Sequence, residues 1–129
     1  MSPSYYTTLN INQLQIMVKL GVPDEERAIP QPVEIDITFL FPSLPDECKD
    51  DDSNSYICYD EISKNIQEYA EKNEFKLLEY LGYQIFLLLR NYLPEDIGVI
   101  TKVRKCNPPV DAIKGGCTVV HSDLPIRVR

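Results

Sequence analysis

The sequence predicts an α+β domain in which two helices cover one face of an antiparallel sheet. Two segments in the first third of the chain alternate apolar and polar residues with a period of two, which indicates strands with one buried face. Two central segments carry apolar residues at helical spacing, and two shorter segments with β-branched residues follow them. The resulting order, β-β-α-α-β-β, is typical of helices packed on a sheet.

The first two strands are predicted over residues 8–20 and 32–41, with a break at 21–24 between them. Within each strand the apolar side chains recur at every second position, so that they share one face of the sheet. These apolar residues are Leu14, Ile16, Val18, Leu20, Val33, Ile35, Ile37, Phe39 and Phe41.

The two helices are predicted over residues 59–73 and 75–92, and Pro94 provides the stop signal for the second. Their apolar positions recur every three or four residues and so fall on one helix face. They are Ile62, Ile66, Tyr69 and Ala70 in the first helix, and Leu78, Leu81, Ile85, Leu88, Leu89 and Tyr92 in the second. The last two strands are predicted over residues 98–105 and 116–121.

Residues 42–55 form a predicted exposed loop, because they hold two prolines and a run of acidic residues. Like charges repel one another, which favours a solvated connection. Calcium binding is the alternative, but the spacing of these carboxylates differs from that of an EF-hand loop.

Length, charge and hydropathy limit the classes of function. The 129 residues suit a single domain over 1–129, with 1–7 and 123–129 as peripheral tails. The net charge of −7 argues against a nucleic-acid partner, because phosphate contacts need clustered cations. The amino terminus lacks a signal-peptide pattern, and no apolar run is long enough to span a bilayer. We therefore expect a cytoplasmic protein without a membrane partner.

The cysteines give no sign of a disulfide framework or a metal site. Cys48, Cys58, Cys106 and Cys117 form no C-x-x-C pair and are expected to be free thiols rather than disulfides. A zinc site would have to combine the last two with His121, and that spacing matches no usual zinc pattern. We therefore expect no bound metal.

Glu79 is a carboxylate within the apolar stretch of the second predicted helix. At helical spacing it lies at the border of the apolar stripe, near Phe75, Gly82 and Phe86. It is either a surface carboxylate whose head reaches water or an anchor in a ligand pocket. As an anchor it would accept two hydrogen bonds from a flat N–C–N donor edge, with Gly82 leaving room for a ring. Periodicity leaves both alternatives open.

Four segments of the chain carry a family resemblance: "GVPDEERAIPQPVEIDI" at 21–37, "YICYDEI" at 56–62, "FKLLEYL" at 75–81 and "VRKCNPP" at 103–109. In this order and spacing they resemble the dihydroneopterin aldolases and their sister family, the dihydroneopterin triphosphate epimerases. The resemblance spans about residues 8–121. It implies the tunnelling fold, whose subunits assemble into rings, and a homo-octamer of two tetrameric rings with ligand sites between neighbouring subunits.

The resemblance also implies which residues form the site. Glu79 matches the family's pterin-anchoring glutamate, and Lys105 matches the lysine at the end of the third long strand. No cofactor is implied. The implied catalytic residues are Lys105, Tyr59 and Glu26, and the implied substrate-binding residues are Glu79, Leu78 and, from the adjacent chain, Ile57.

The implied reaction is retro-aldol cleavage of the C1′–C2′ bond of dihydroneopterin, which yields 6-hydroxymethyl-7,8-dihydropterin and glycolaldehyde. The C=N bond of the substrate accepts the electrons, so that the protein supplies neither a Schiff-base lysine nor a metal. Glu79 would orient the ring through its 2-amino and N3–H edge. Lys105 would transfer protons, while Glu26 would position a water or the side-chain hydroxyls. Tyr59 would exchange a proton at the reacting centre.

Epimerisation at C2′ of the same pterin, or of its triphosphate, is the first alternative. It would use the same four groups, and the stretches at 24–26 and 64–79 look somewhat closer to that branch. A triphosphate would need cations at the pocket mouth, for which Lys102, Arg104 and Lys114 are candidates.

A pterin-binding ring protein without turnover is the second alternative. Cys106 follows Lys105 where the family usually has proline, and His121 stands near the position of the family's arginine. These departures motivate the hypothesis of a protein that kept the pterin-binding glutamate and lost catalytic activity.

Overall fold

The structure is a computed structural model and describes residues 7–51 and 57–123. Within these ranges the predicted order of long strands and helices is confirmed. Three short elements are additions to it: α1, β3 and a 3₁₀ turn over Asp46–Cys48. The elements are β1 Thr7–Leu20, α1 Asp24–Arg27, β2 Gln31–Phe41, α2 Tyr59–Lys72, β3 Glu74–Phe75, α3 Leu78–Tyr92, β4 Gly98–Lys105 and β5 Cys117–Ser122.

The strands form one sheet with the order β3-β1-β2-β4-β5, in which the four long strands pair antiparallel. Val33 of β2 lies opposite Ile16 of β1 on one side and opposite Lys105 of β4 on the other. Directly opposite residues share a face of the sheet, so that Lys105 points to the same side as the apolar row.

Both long helices cover this apolar face, as predicted. α2 packs mainly on β1, whereas α3 packs on β4 and β5. Their buried residues join those of the strands in one core, and each large apolar side chain buried there contributes about 1.5–3 kcal/mol. The core residues of the helices are Ile62, Ile66, Ala70, Leu81, Ile85, Phe86 and Leu89.

β3 makes the sheet mixed rather than purely antiparallel and shortens the second predicted helix. Phe75 pairs in parallel with Leu20, and its carbonyl accepts a 2.9 Å hydrogen bond from the backbone N–H of Gly21. The buried ring of Phe75 packs into the core from this strand. Because tertiary pairing overrides local helical periodicity here, α3 begins at Leu78 instead of Phe75.

The directions of the strands and of α2 define two ends of the sheet. β1 and β4 finish, and β2 and β5 begin, at one end, which we call the Lys105 end. The carboxyl end of α2 lies there too, because β3 follows it and pairs with the last residues of β1. Since α2 has 14 residues, its amino end lies about 20 Å away, towards the opposite end of the sheet.

The predicted loop at 42–55 is described as far as Asp51 and contains a single 3₁₀ turn over Asp46–Cys48, while residues 52–55 fall outside the described ranges. The predicted tails at 1–7 and 123–129 also lie outside them, except Thr7, which opens β1, and Asp123. No helix in the described part of the chain is long and apolar enough to cross a membrane.

Candidate functional site

An ion pair between Glu26 and Lys105 forms the centre of the site. The Nζ atom of Lys105 lies 2.7 Å from Oε2 of Glu26, and the two side chains are 14% and 20% exposed. Lys105 is the last residue of β4 and continues the row of Thr101 and Val103 on the helix-covered face. Glu26 comes from α1, between β1 and β2, so that the pair joins residues far apart in the sequence.

Gln31 and Gly21 fix the carboxylate of Glu26 from two further sides. Nε2 of Gln31 donates to the carbonyl of Leu20 at 2.6 Å and to Oε2 of Glu26 at 3.3 Å. Gly21 lies so close that a Cβ at this position would be 2.5 Å from Oε1 of Glu26. Oε1 of Gln31 is buried without a hydrogen-bond partner among the described residues and is therefore an unused acceptor on the residue that holds Glu26.

The hydrogen bond from Lys105 lowers the pKa of Glu26 below its ordinary value. Partial burial acts in the opposite direction, and the hydrogen bond from Gln31 lowers the pKa further. Glu26 is thus a carboxylate at neutral pH, able to accept a proton or to hold a hydroxyl group or water.

Glu79 lies in the first turn of α3, where the partial positive charge of the helix amino terminus favours a carboxylate. Its side chain is exposed and has no hydrogen-bond or ion-pair partner in the described part of this chain. Both carboxylate oxygens are therefore available to donors from a ligand or a second subunit.

The packing of α3 on β5 places Glu79 at the Lys105 end. Gly82 lies over Val119 and His121 of β5, and Glu79 is about one helical turn earlier, in the direction of Cys117. Cys117 lies directly opposite Lys105 in the sheet. The candidate anchor and the ion pair thus belong to one end of the domain.

Gly82 serves the packing of α3 on the sheet rather than the approach of a ligand. A Cβ at this position would be 2.6 Å from Cγ1 of Val119 and 3.3 Å from Cε1 of His121. The expectation that Gly82 leaves room for a ligand ring is therefore wrong, because β5 already occupies that space. Phe75, expected as a helical neighbour of Glu79, lies in β3 instead.

The remaining expected site residues fall into two places. Leu78 is the first residue of α3 and is half-buried against the core, next to Glu79.

Tyr59 opens α2, is 64% exposed and lies about 20 Å from the Lys105 end along that helix. Ile57 lies two residues before Tyr59 and lines a mainly apolar cavity of about 380 Å³ together with Thr7 and Phe41, which mark the opposite end of the sheet. A single chain therefore does not bring Tyr59 and Ile57 to Lys105.

The basic residues considered for a triphosphate are placed away from the ion pair. Lys102 and Arg104 alternate with Lys105 along β4 and point to the other face of the sheet. There the guanidinium of Arg104 is bonded to the carboxylate of Glu34. Lys114 is exposed in the connection between β4 and β5.

The four cysteines, which the sequence analysis considered as disulfide partners or metal ligands, all have free thiols. Among the described residues no group of three or more His, Cys, Asp or Glu side chains is arranged to hold a metal ion.

Sequence reasoning missed the contacts that three residues make around Glu26 and its loop. Gln31 and Gly21 belong to the quoted family segment, but only the structure shows their contacts with Glu26. Arg27 bonds backbone carbonyls of the same loop, and its spacing of three from Asp24 was its only sequence signal.

Comparison with known proteins finds relatives among dihydroneopterin aldolases and epimerases. Residues 9–121 match the model of the FolB family, described as dihydroneopterin aldolase. A protein named "Probable dihydroneopterin aldolase" from Chlamydia trachomatis is 30% identical over 103 residues, which cover 79% of this chain and 83% of the relative. The dihydroneopterin triphosphate 2′-epimerase of Escherichia coli is 28% identical over 85 residues, covering 65% of this chain and 69% of that enzyme.

The fold is shared with a solved structure of Escherichia coli dihydroneopterin aldolase in complex with neopterin. The two chains superpose with a TM-score of 0.74 at 24% identity, over 90% of this chain and 99% of the other. This likeness shows the fold, while the family match covers nearly the whole chain. The chain therefore belongs to the dihydroneopterin aldolase family of enzymes.

Proposed function

We propose that the protein cleaves the C1′–C2′ bond of 7,8-dihydroneopterin and releases 6-hydroxymethyl-7,8-dihydropterin and glycolaldehyde. The observation that carries this proposal is the shielded Glu26–Lys105 pair, which lies at the same end of the domain as the exposed carboxylate of Glu79. The pair supplies groups that move protons, and Glu79 supplies a planar acceptor for the ring.

Glu79 binds the substrate in this proposal. The 2-amino group and N3–H of the pterin present two parallel donors, which match the two oxygens of one carboxylate. The first turn of α3 holds that carboxylate beside Leu78, whose half-buried side chain offers an apolar contact for the ring. Orientation of the ring towards the ion pair is the main contribution of this contact to the rate.

Lys105 and Glu26 carry out the proton transfers. Loss of the proton from the C2′ hydroxyl converts that carbon into the carbonyl of glycolaldehyde, while the electron pair of the broken bond passes into the C=N bond of the ring. The carbon left on the pterin then takes up a proton. Glu26, ionised and held by Lys105, positions the hydroxyl or a water, and Lys105 relays the proton.

A second copy of the chain completes the site. Tyr59 and Ile57 lie at the opposite end of the domain from Lys105, so that a neighbouring subunit must supply them. Exposed Val22, Ile29 and Leu77 near the Lys105 end offer an apolar surface for that neighbour. A head-to-tail contact forms a ring when its rotation closes, and the proposed octamer consists of two stacked tetrameric rings of this kind.

The related 2′-epimerase keeps epimerisation at C2′ as a second candidate function. The same groups would cleave the bond and add the aldehyde back on its other face. Lys102 and Arg104 lie on the far side of the sheet from Lys105 in the same chain, so that these two residues give no support to a phosphorylated substrate in either reaction. The free thiols fit a cytoplasmic location.

Product analysis of the purified protein with dihydroneopterin separates these functions. Glycolaldehyde together with 6-hydroxymethyl-7,8-dihydropterin supports the aldolase, whereas the C2′ epimer alone supports the epimerase. Pterin binding without either product supports a binding protein and contradicts both proposals. Borohydride should trap no adduct with Lys105, because no Schiff base forms in this mechanism.

A further inference from the structure

Arg27 closes the loop that carries Glu26. Its Nη1 donates to the carbonyls of Gly21 at 2.8 Å and Val22 at 3.0 Å, and its Nη2 donates to Oδ1 of Asp24 at 2.6 Å. The side chain is only 15% exposed. α1 has four residues, too few to hold its own conformation, so that these bonds supply the closure that the helix cannot.

The same guanidinium ties the loop to β3. Its Nε lies 3.7 Å from Oε1 of Glu74, and the N–H of Gly21 donates to the carbonyl of Phe75 at 2.9 Å. Two residues separate Phe75 from α3, which carries Glu79 in its first turn. The loop with the proton-transfer carboxylate is therefore fastened to the segment that leads into the anchor.

Gly21 transmits this restraint to Glu26. Its Cα lies against the carboxylate of Glu26, as the 2.5 Å separation of a Cβ from Oε1 shows. The position of Gly21 therefore restricts where that carboxylate can lie relative to Lys105. Arg27 holds Gly21 through its carbonyl and thus acts on Glu26 without contacting the ion pair.

We propose that Arg27 is a positioning residue that sets the distance between the Glu26–Lys105 pair and the anchor Glu79. The inference rests on the proposed function for its catalytic consequence, but the placement of Glu26 that it predicts is independent of turnover. Arginine suits this position because its planar fork bonds two carbonyls and a carboxylate at once, which a lysine ammonium does with less geometric restraint.

The test compares Arg27→Met, which keeps an unbranched apolar stem, with the wild type. We expect kcat for dihydroneopterin cleavage to fall about 10–100-fold, since misplacement of a catalytic group by about 1 Å has effects of this size. The Kd for neopterin should change less than about twofold, because Leu81 and Ile85 hold α3 in the core independently. Lys64→Met, which removes an exposed ion pair with Asp60 on α2, is the matched control and should leave both quantities unchanged.

A double-variant cycle distinguishes positioning from general stabilisation. Arg27→Met should cause little further loss of the residual turnover in the Glu26→Gln background, because Arg27 acts through Glu26. Equal losses in both backgrounds, or a lower melting temperature with unchanged kcat, would overturn the proposal.

The ¹³C carboxyl titration of Glu26 tests the same placement without any turnover. Lys105 lowers the pKa of Glu26 in the wild type, and Arg27→Met should bring that pKa back towards its ordinary value as the pair opens. If the wild type proved inactive while this titration shifted, the proposed function would fail and the positioning role would stand. An unchanged titration would refute the positioning role even in an active enzyme.

Discussion

Substitution of Gly21 by alanine probes the close approach that sets the position of Glu26. The added Cβ would lie 2.5 Å from Oε1, 2.6 Å from Cδ and 2.7 Å from Cγ of Glu26. Non-bonded carbon contacts are comfortable at about 3.5–4.0 Å, so that the carboxylate has to move by roughly 1 Å. Overpacking of this kind costs about 1–3 kcal/mol of folding free energy.

The displaced carboxylate should lose its partners. Oε2 of Glu26 now lies 2.7 Å from Nζ of Lys105 and 3.3 Å from Nε2 of Gln31, and a shift of this size exceeds the tolerance of both hydrogen bonds. We therefore expect Gly21→Ala to lower kcat for dihydroneopterin cleavage by about 10–100-fold. Steady-state kinetics and urea denaturation measure the two effects separately.

Two further variants test whether the contact with Glu26 causes the expected effects of Gly21→Ala. Gly115→Ala is the matched control, because no atom lies within 4 Å of a Cβ at that glycine, and it should change neither kcat nor stability. Glu26→Ala removes the atoms that the new Cβ would meet, so that Gly21→Ala should cost less stability in that background, and the loss that remains is the backbone strain of a non-glycine residue at a φ of 158°. An undiminished stability loss there would show that the contact with the carboxylate is not the cause.

Three further predictions concern the pair, the helix packing and the anchor. The folded pKa of Glu26 lies below its ordinary value of 4.5, so that its pair stabilises the fold above that pH and is lost as the pH falls through the folded pKa. The difference in urea midpoint between wild type and Lys105→Met should therefore shrink from pH 7 to pH 3; a constant difference would contradict the pairing. Gly82→Ala should destabilise by about 1–3 kcal/mol in urea denaturation, and Val119→Ala should recover part of the loss. If Val119→Ala recovered none of the lost stability, the contact with Val119 would not be its cause. Glu79→Ala should weaken neopterin binding at least about tenfold by calorimetry and lower the melting temperature only slightly, since the exposed carboxylate contributes only its interaction with the amino terminus of α3 to stability. Normal binding would refute the anchor role.

The long elements were predictable because each buries one face of a regular pattern. Val99, Thr101 and Val103 of β4 share the buried face at every second position, and the bounds of the strand agree with the prediction at both ends. β3 was not predictable, because a two-residue strand exists only through its pairing with the end of β1. Phe75 fits the helical spacing of α3 equally well, and only the parallel pairing with Leu20 decides its conformation.

The site was predictable in identity but not in arrangement. Family resemblance selected Glu26 and Lys105, and the structure joins them in an ion pair. The restraints on Glu26 come from Gly21, through space, and from Arg27, through backbone carbonyls, and neither contact leaves a periodic signal. The separation of Tyr59 from the pair follows from the direction of α2 across the sheet, which no local pattern encodes.

Mixing of inactive subunits tests the central claim that two copies of the chain build one pterin-cleaving site. Tyr59→Phe and Lys105→Met subunits are unfolded together in equal amounts, refolded, and assayed for glycolaldehyde release. If each site takes Lys105 from one subunit and Tyr59 from its neighbour, random assembly leaves about one quarter of the sites intact, and the mixture should regain about a quarter of wild-type activity. A mixture no more active than the two variants assayed separately would contradict the shared site.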